Sequence, residues 1–281
     1  MEIYKKINTI TERISALKKE EKSIGFVPTM GALHEGHISL IKNSIQENDV
    51  TIASIFVNPT QFNDPNDLEN YPRTIDTDIE KLDKAHCDIV FIPNVEEMYL
   101  NQEKRKFDFG YIEKIMEGKY RIGHFNGVAT IVSKFFDIIK PDNAYFGQKD
   151  FQQLAIIKNL VKQYNYNINI VAGPTIRERD GLAMSSRNKL LTNKQREIAP
   201  LIFKTLKKAV KKADDLNIEE LKKWLVEQIN SNKLMKVEYF DVVNTETLKS
   251  IVNWDKKCKI TGCIAIKIGK IRLIDNINFN Y

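Results

Sequence analysis

Five short apolar runs, at residues 24–27, 50–57, 88–92, 143–146 and 168–172, alternate with longer helical patterns near 36–48, 74–86, 125–139 and 150–163. Strands separated by a helix-length crossover pair in parallel, and the crossover helices then cover the faces of the sheet. The first 175 residues are therefore predicted to form a parallel sheet with helices on both faces. Ligands of such sheets gather beyond the carboxyl ends of the strands. Three polar segments bearing glycine or proline follow strands directly: PTMG after Val27, NPTQF after Val57 and GQKD after Phe146. Position in the fold and residue chemistry agree.

After about residue 175 the pattern changes. Thr192 with Gln195, and Asn217 with Glu220, are capping-box spacings that open helices. Leu221, Trp224, Leu225 and Ile229 make one apolar face on the second of these. Pro200 is placed to kink or divide the helix begun at Thr192. Strand-like runs follow at 236–243, 261–268 and 271–274, so 176–281 reads as a smaller α+β domain. GLAMSSRN at 181–188 lies at the junction, where it could close over a ligand held by the first domain.

Bulk composition excludes more than it selects. At 281 residues there is material for one large or two modest domains. Residues 1–10 contain no signal-peptide core, and no segment reaches the ~20 apolar residues that a bilayer span needs. Cys87, Cys258 and Cys263 form no disulfide framework and suit a reducing cytosol. The net charge of +6 permits nucleic-acid binding without arguing for it. Lys204, Lys207, Lys208, Lys211 and Lys212 recur at helical spacing and read as a solvated face.

The chemistry-bearing residues fall in a few segments. In VPTMGALHEGHISLI at 27–41, His34 and His37 are three apart and would share a face of a helix. Gly31 and Gly36 keep the approach open where a Cβ would meet a ligand. A zinc pair lacks the HExxH spacing and a nearby cysteine. Phosphate contact fits better, with an imidazole donating a hydrogen bond or proton to a leaving pyrophosphate. In Gly147-Gln148-Lys149-Asp150 the lysine supplies a point charge for phosphate, and the aspartate an acceptor for ribose hydroxyls. Gln61 and Gln153 both donate and accept, which suits a small hydroxylated acid.

Ser185, Ser186 and Arg187 offer two hydroxyls and a guanidinium, and Met184 a soft contact for a purine. The chain has neither GxxxxGK[ST] nor GxSxG, which weakens P-loop and α/β-hydrolase readings. Tyr71 and Arg73 serve either an acid pocket or a loop. Arg121 and His124 sit at a predicted helix start, while His86 reads as a surface or packing histidine. Asp67, Asp76, Asp78 and Asp88 carry no specific acid/base signature.

Taken together, several blocks resemble the pantoate–beta-alanine ligase family: FVPTMGALHEGH at 26–37, IFVNPTQF at 55–62, DLENYPRT at 67–74, RIGHFNGVATIVSKFFDIIKPDNAYFGQKDFQQL at 121–154, AGPTIRERDGLAMSSRN at 172–188 and, more weakly, RLIDN at 272–276. The blocks occur in the family's order, and 189–270 adds little to the match. The resemblance implies a Rossmann-like parallel sheet domain over 1–175 and a smaller C-terminal α+β domain over 176–281. It also implies a cytoplasmic homodimer acting without nucleic acid or membrane. Its reaction would be ATP-dependent condensation of (R)-pantoate with beta-alanine through a pantoyl adenylate, giving pantothenate, AMP and diphosphate, with Mg2+ accompanying ATP.

By position, the resemblance implies that Met30, Gly31, Ala32, Leu33, His34, Glu35, Gly36 and His37 line the ATP site, with His37 the proton donor to the departing phosphate side and His34 its assistant. Gly147, Gln148, Lys149 and Asp150 would also contact ATP. Ile176 would supply backbone contacts to adenine, while Met184, Ser185, Ser186 and Arg187 close the site. Gln61 and Gln153 would hold pantoate, and no protein ligand to the metal is implied. Gln148 stands where many relatives have glutamate. Two other readings compete: an adenylyltransferase that leaves the nucleotide on its acceptor, and an RNA-binding module using the lysine face at 204–212.

Overall fold

The computed structural model describes residues 1–100, 105–255 and 257–279. The chain divides into two compact units: residues 1–148 with 153–174, and residues 149–152 with 175–281.

The first unit is built on a six-stranded sheet of β1 (Glu2–Tyr4), β2 (Ile24–Thr29), β3 (Val50–Ile55), β4 (Ile89–Phe91), β5 (Asn143–Gly147) and β6 (Asn169–Gly173). Their spatial order is β1-β4-β3-β2-β5-β6, and every pairing is parallel. The two-residue period sends alternate side chains into two separate cores. Ile24, Phe26, Ile52, Ile89, Phe91, Ala144 and Phe146 join one core with the helices Ile7–Lys19, His124–Ile139 and Phe151–Gln163. Val27, Ala53, Ile55, Val90 and Tyr145 join the other with the helices Glu35–Glu47 and Ile75–Lys84. Both faces of the sheet are thus covered, as a parallel sheet requires.

The strand order reverses between β2 and β5. From β2 the chain adds β3 and β4 on one side, then returns to place β5 and β6 on the other. The β2–β5 ladder is short, registering Gly25 with Asn143 and Phe26 with Ala144. It ends before Pro28, which has no N–H to offer a strand partner. Adjacent strands that part in this way at their carboxyl ends leave the crevice in which ligands of open α/β sheets bind.

The second unit packs the helices Leu201–Lys212 and Ile218–Asn230 on an antiparallel sheet, β7 (Met235–Asn244), β8 (Ile260–Ile268) and β9 (Ile271–Phe279), ordered β7-β8-β9. Leu206, Leu221, Leu225, Ile229, Ile264 and Ile266 form its core. Both expected capping boxes are present, at Thr192 and Asn217. Pro200 divides the helix Asn193–Ile198 from Leu201–Lys212. On that second helix Lys204, Lys207, Lys208 and Lys211 are exposed.

Three local differences from the sequence expectation have simple causes. The edge strand β1 carries only three residues, two of them exposed, and so gives no apolar run. The sequence pattern assigns no helix to Ile7–Lys19, although Ile10, Ile14 and Leu17 form its buried stripe. Strand β9 runs to Phe279 and not 274, because its ladder with β8 continues through the polar residues Asp275, Asn276 and Asn278.

The three cysteines are free thiols. Burial pushes the Cys87 thiol up to about 12, so it stays protonated and unreactive near neutral pH. Maleimide labelling at pH 8, read by peptide mass spectrometry, is expected to modify Cys258 and spare Cys87. Asn217→Ala removes one half of a capping box and should cost about 1 kcal/mol, measured as a lower urea midpoint.

Candidate active site

The turn after β2 does not fold as a simple entry into a helix. Gly31 and Ala32 both adopt left-handed backbone, with φ of 80° and 49°. For alanine this conformation costs free energy that something must offset. Asp78, fully buried on the helix Ile75–Lys84, supplies the compensation. Its two carboxylate oxygens accept from the amides of Ala32 and Leu33 at 2.8 and 2.7 Å, and from the Thr74 hydroxyl at 3.1 Å. Lys81 of the same helix donates to the Leu33 carbonyl at 2.6 Å. The side chains of Ala32 and Leu33 are wholly buried, so both residues shape the turn. A Cβ on Gly31 would lie 3.1 Å from the Asp78 carboxylate. The glycine thus answers to the protein's own backbone and anchor as well as to any ligand.

His34 is not on the helix, as its three-residue spacing from His37 suggests. It is the extended N-cap residue, with φ −137° and ψ 173°, and the helix Glu35–Glu47 begins after it. The two imidazoles still meet, with ring centroids 4.1 Å apart, because they cap the helix reciprocally. His34 Nδ1 accepts from the amide of Gly36 at 3.1 Å, and His37 Nδ1 accepts from the amide of His34 at 3.2 Å. A neutral imidazole accepting at Nδ1 carries its proton on Nε2. Hydrogen bonding to the backbone thereby selects the Nε2–H tautomer in both rings. Glu35 is exposed, and Gly36 and His37 are half-buried at the positive end of the helix dipole.

Beyond β3, Asn58 is the hub of the NPTQF turn. It is 1% exposed and caps Pro59–Gln61. Its amide donates to Gln61 Oε1 at 3.1 Å and to the Gly127 carbonyl at 3.0 Å, and its oxygen accepts from Tyr99 at 2.6 Å. Gln61 Nε2 donates to Met30 Sδ at 2.8 Å, which brings together two residues 31 positions apart. His124, buried at the start of its helix, bonds through Nδ1 to the Gln61 carbonyl at 2.8 Å. A Cβ on Gly127 would fall 2.3 Å from the Thr60 carbonyl, so only glycine lets this helix approach the turn. Gly147 ends β5, Gln148 follows it exposed, and Gln153 is half-buried on the helix Phe151–Gln163.

The second unit holds the remaining candidates. Lys149 and Asp150 are half-buried, and the lysine ammonium lies 3.8 Å from the Asp150 carboxylate. Ile176 accepts from the amide of Met184 at 3.0 Å, closing a hairpin whose turn uses Gly181 at φ 96°. Ser185 then caps the short helix Ser186–Leu190 by accepting from the amide of Arg187 at 3.3 Å. Ser186 is buried and Arg187 half-buried.

Residues not singled out in the sequence hold this hairpin. Arg177 makes a two-pronged ion pair with Asp275, at 2.7 and 2.9 Å, and stacks 3.6 Å over the Phe203 ring. Burial pushes the Asp275 carboxyl up, and the Arg177 guanidinium opposes that shift. Arg196 bridges Glu178 and Asp180 at 2.5 and 2.6 Å. The sequence signal for the Arg177–Asp275 pair is slight, because Asp275 is one of several polar residues in a strand that also carries Arg272, Asn276 and Asn278. Arg73 donates to the carbonyls of Leu68, Glu69 and Tyr71, and Tyr71 packs edge-on against Phe62, which gives both a loop role. Arg121 pairs with Glu117 at 3.7 Å, and His86 is exposed.

The model of the pantoate–beta-alanine ligase family matches residues 2–278. The chain belongs to that family. A pantothenate synthetase from Azobacteroides pseudotrichonymphae is 52% identical over 280 residues, covering 99% of this chain and 100% of that one. One from Bacteroides thetaiotaomicron is 47% identical, covering 99% of each. Among solved structures, the pantothenate synthetase of Thermus thermophilus superposes with a TM-score of 0.92 at 35% identity and full coverage of both chains. The pantoate–beta-alanine ligase of Francisella tularensis, crystallised with beta-gamma ATP and beta-alanine, gives 0.84 at 42% identity over 99% of this chain and 98% of that one. The fold expected of a family member, a parallel α/β unit followed by a small antiparallel one, is the fold observed.

The Asp78 anchor yields a measurable outcome. Asp78→Asn keeps the shape but turns an amide group toward a backbone N–H, leaving a buried donor unpaired. A loss of about 1–3 kcal/mol is expected, read from the denaturant midpoint.

Proposed function

We propose that the two sets of residues described above serve one reaction, the ATP-dependent condensation of pantoate with beta-alanine that defines this ligase family. A carboxylate is a poor acyl donor because its oxygen leaves badly. In the first step a pantoate carboxylate oxygen bonds to the α-phosphorus of ATP while the bond from that phosphorus to the bridging oxygen breaks, releasing diphosphate. In the second step the neutral amine of beta-alanine attacks the acyl carbon of pantoyl adenylate. The amide bond forms, AMP departs with the electron pair of the broken acyl–oxygen bond, and the amine loses its proton.

The reading is carried by one observation: the reciprocal cap that leaves both His34 and His37 with Nε2–H donors at a helix N-terminus beside the switch point of the sheet. The helix dipole favours anionic oxygen there, and with the first amides taken up by the cap the imidazole Nε2–H groups are the donors that face it. Preorganised donors gain most where charge builds during reaction, which is on the departing diphosphate. His37 donates to the leaving side and His34 supports it. Lys149 neutralises phosphate, Asp150 receives ribose hydroxyls, and Met184, Ser185, Ser186 and Arg187 close over the nucleotide, with Ile176 on the adenine side. Gln61 and Gln153 hold pantoate, and Gln61 arrives preset by Asn58, Met30 and His124.

Magnesium enters this reading as part of the MgATP substrate. Among the described residues no group of three or more His, Cys, Asp or Glu is arranged to hold an ion. Closure of the Met184–Arg187 segment over the nucleotide would shield the acyl adenylate from water. A homodimer in the cytoplasm completes the proposal. Among the described residues no helix is long and apolar enough to cross a membrane.

Following diphosphate, AMP and pantothenate while each substrate is withheld in turn tests the scheme. Diphosphate release without beta-alanine marks the adenylate. His37→Ala and Lys149→Ala should each slow that release by roughly 10²–10³-fold with the circular dichroism spectrum intact. Near-normal release in both variants would remove these role assignments.

A further inference from the structure

Two consecutive residues of β9, Asp275 and Asn276, hold both chemistry-bearing segments of the second unit. Asp275 takes the Arg177 guanidinium at 2.7 and 2.9 Å, and Arg177 also donates to the Gly181 carbonyl at 3.2 Å. This fixes the hairpin that leads into Met184–Arg187. Asn276 donates its side-chain amide to the backbone carbonyl of Lys149 at 3.0 Å, across 127 residues of sequence. The Asn276 backbone amide bonds back to Asp275 Oδ1 at 2.8 Å. Strand β9 is a firm base for such a grip, since Asp275 and Asn276 lie inside an unbroken ladder opposite Ile264 and Cys263.

We infer that Asn276 is a positioning residue for Lys149, acting through the lysine's own backbone. The inference rests on the reading of Lys149 as the cation that meets the triphosphate. A lysine side chain has four carbons of freedom, so the place where its ammonium can dwell is set first by where its backbone is rooted. An error of an ångström at that root is enough to degrade a catalytic geometry. Asp275 takes the backbone amide of the same asparagine and ties down the hairpin through Arg177. One dipeptide thus keeps Lys149 in register with the hydroxyl and guanidinium groups of Ser185–Arg187.

A bond that merely stabilised the unit would also explain the distances, and a double-mutant cycle separates the two roles. Pantoate-dependent ATP–diphosphate exchange would be measured for Asn276→Ala, Asn276→Gln, Lys149→Ala and the Asn276→Ala/Lys149→Ala pair. The alanine variant should lose about tenfold in kcat/KM for ATP, the size of one hydrogen bond. Asn276→Gln, which keeps an amide donor, should regain most of it. In the Lys149→Ala background, Asn276→Ala should change nothing further. Asn276→Asp keeps the volume without the amide donor, and gives a second measurement if the alanine variant fails to fold.

Equal losses from Asn276→Ala in both backgrounds, or no loss at all beside an impaired Lys149→Ala, would overturn the positioning role alone. Unimpaired exchange in Lys149→Ala would instead overturn the phosphate role of the lysine, and the inference with it.

Discussion

One buried carboxylate holds the turn from which the His34–His37 cap departs. Two left-handed residues in succession, one of them alanine, make a turn that a chain does not hold unaided. Asp78 holds it by accepting both following amides from inside the core. The helix that carries Asp78 is itself packed through Leu82 and Ile79. The position of the His34–His37 pair therefore depends on a group that touches neither ring. Rigid secondary structure, not the loop itself, sets the geometry of the loop.

Much of the first unit is legible from sequence because burial on both faces leaves unbroken apolar runs, as in IGFV at 24–27 and IVF at 89–91. The capping boxes at Thr192 and Asn217 are legible for a different reason: their pairing is local, three residues apart. What escapes is long-range and polar. Asp78 looks like any acid in the first turn of an amphipathic helix, and nothing local reveals that its partners lie 45 and 46 residues earlier. Asp275 and Arg177 are 98 residues apart, and Asn276 and Lys149 are 127. The sequence puts His34 on the helix because a three-residue spacing cannot distinguish a cap from a first turn. The chemistry of the pair survives that difference, since the cap is what joins the rings.

The two units use opposite electrostatic strategies. In the first, the donors are imidazoles whose tautomer the backbone selects. In the second, several groups are charged, and three of the cations stand beside acids: Lys149 by Asp150, Arg177 by Asp275, and Arg196 by Glu178 and Asp180. Braced cations keep their orientation at little further entropic cost when an anion arrives. The pairs also explain how a modest net charge of +6 can coexist with strongly cationic local chemistry.

The position of β9 in the chain has a bearing on biosynthesis. Its asparagine clasps a carbonyl made 127 residues before it. At ribosomal speeds of about 5–20 residues per second, that lysine waits roughly 6–25 s for its fastening. The nascent first unit can thus fold around its histidines while its cationic counterpart is still unmoored, and the last strand to emerge sets the final piece in place.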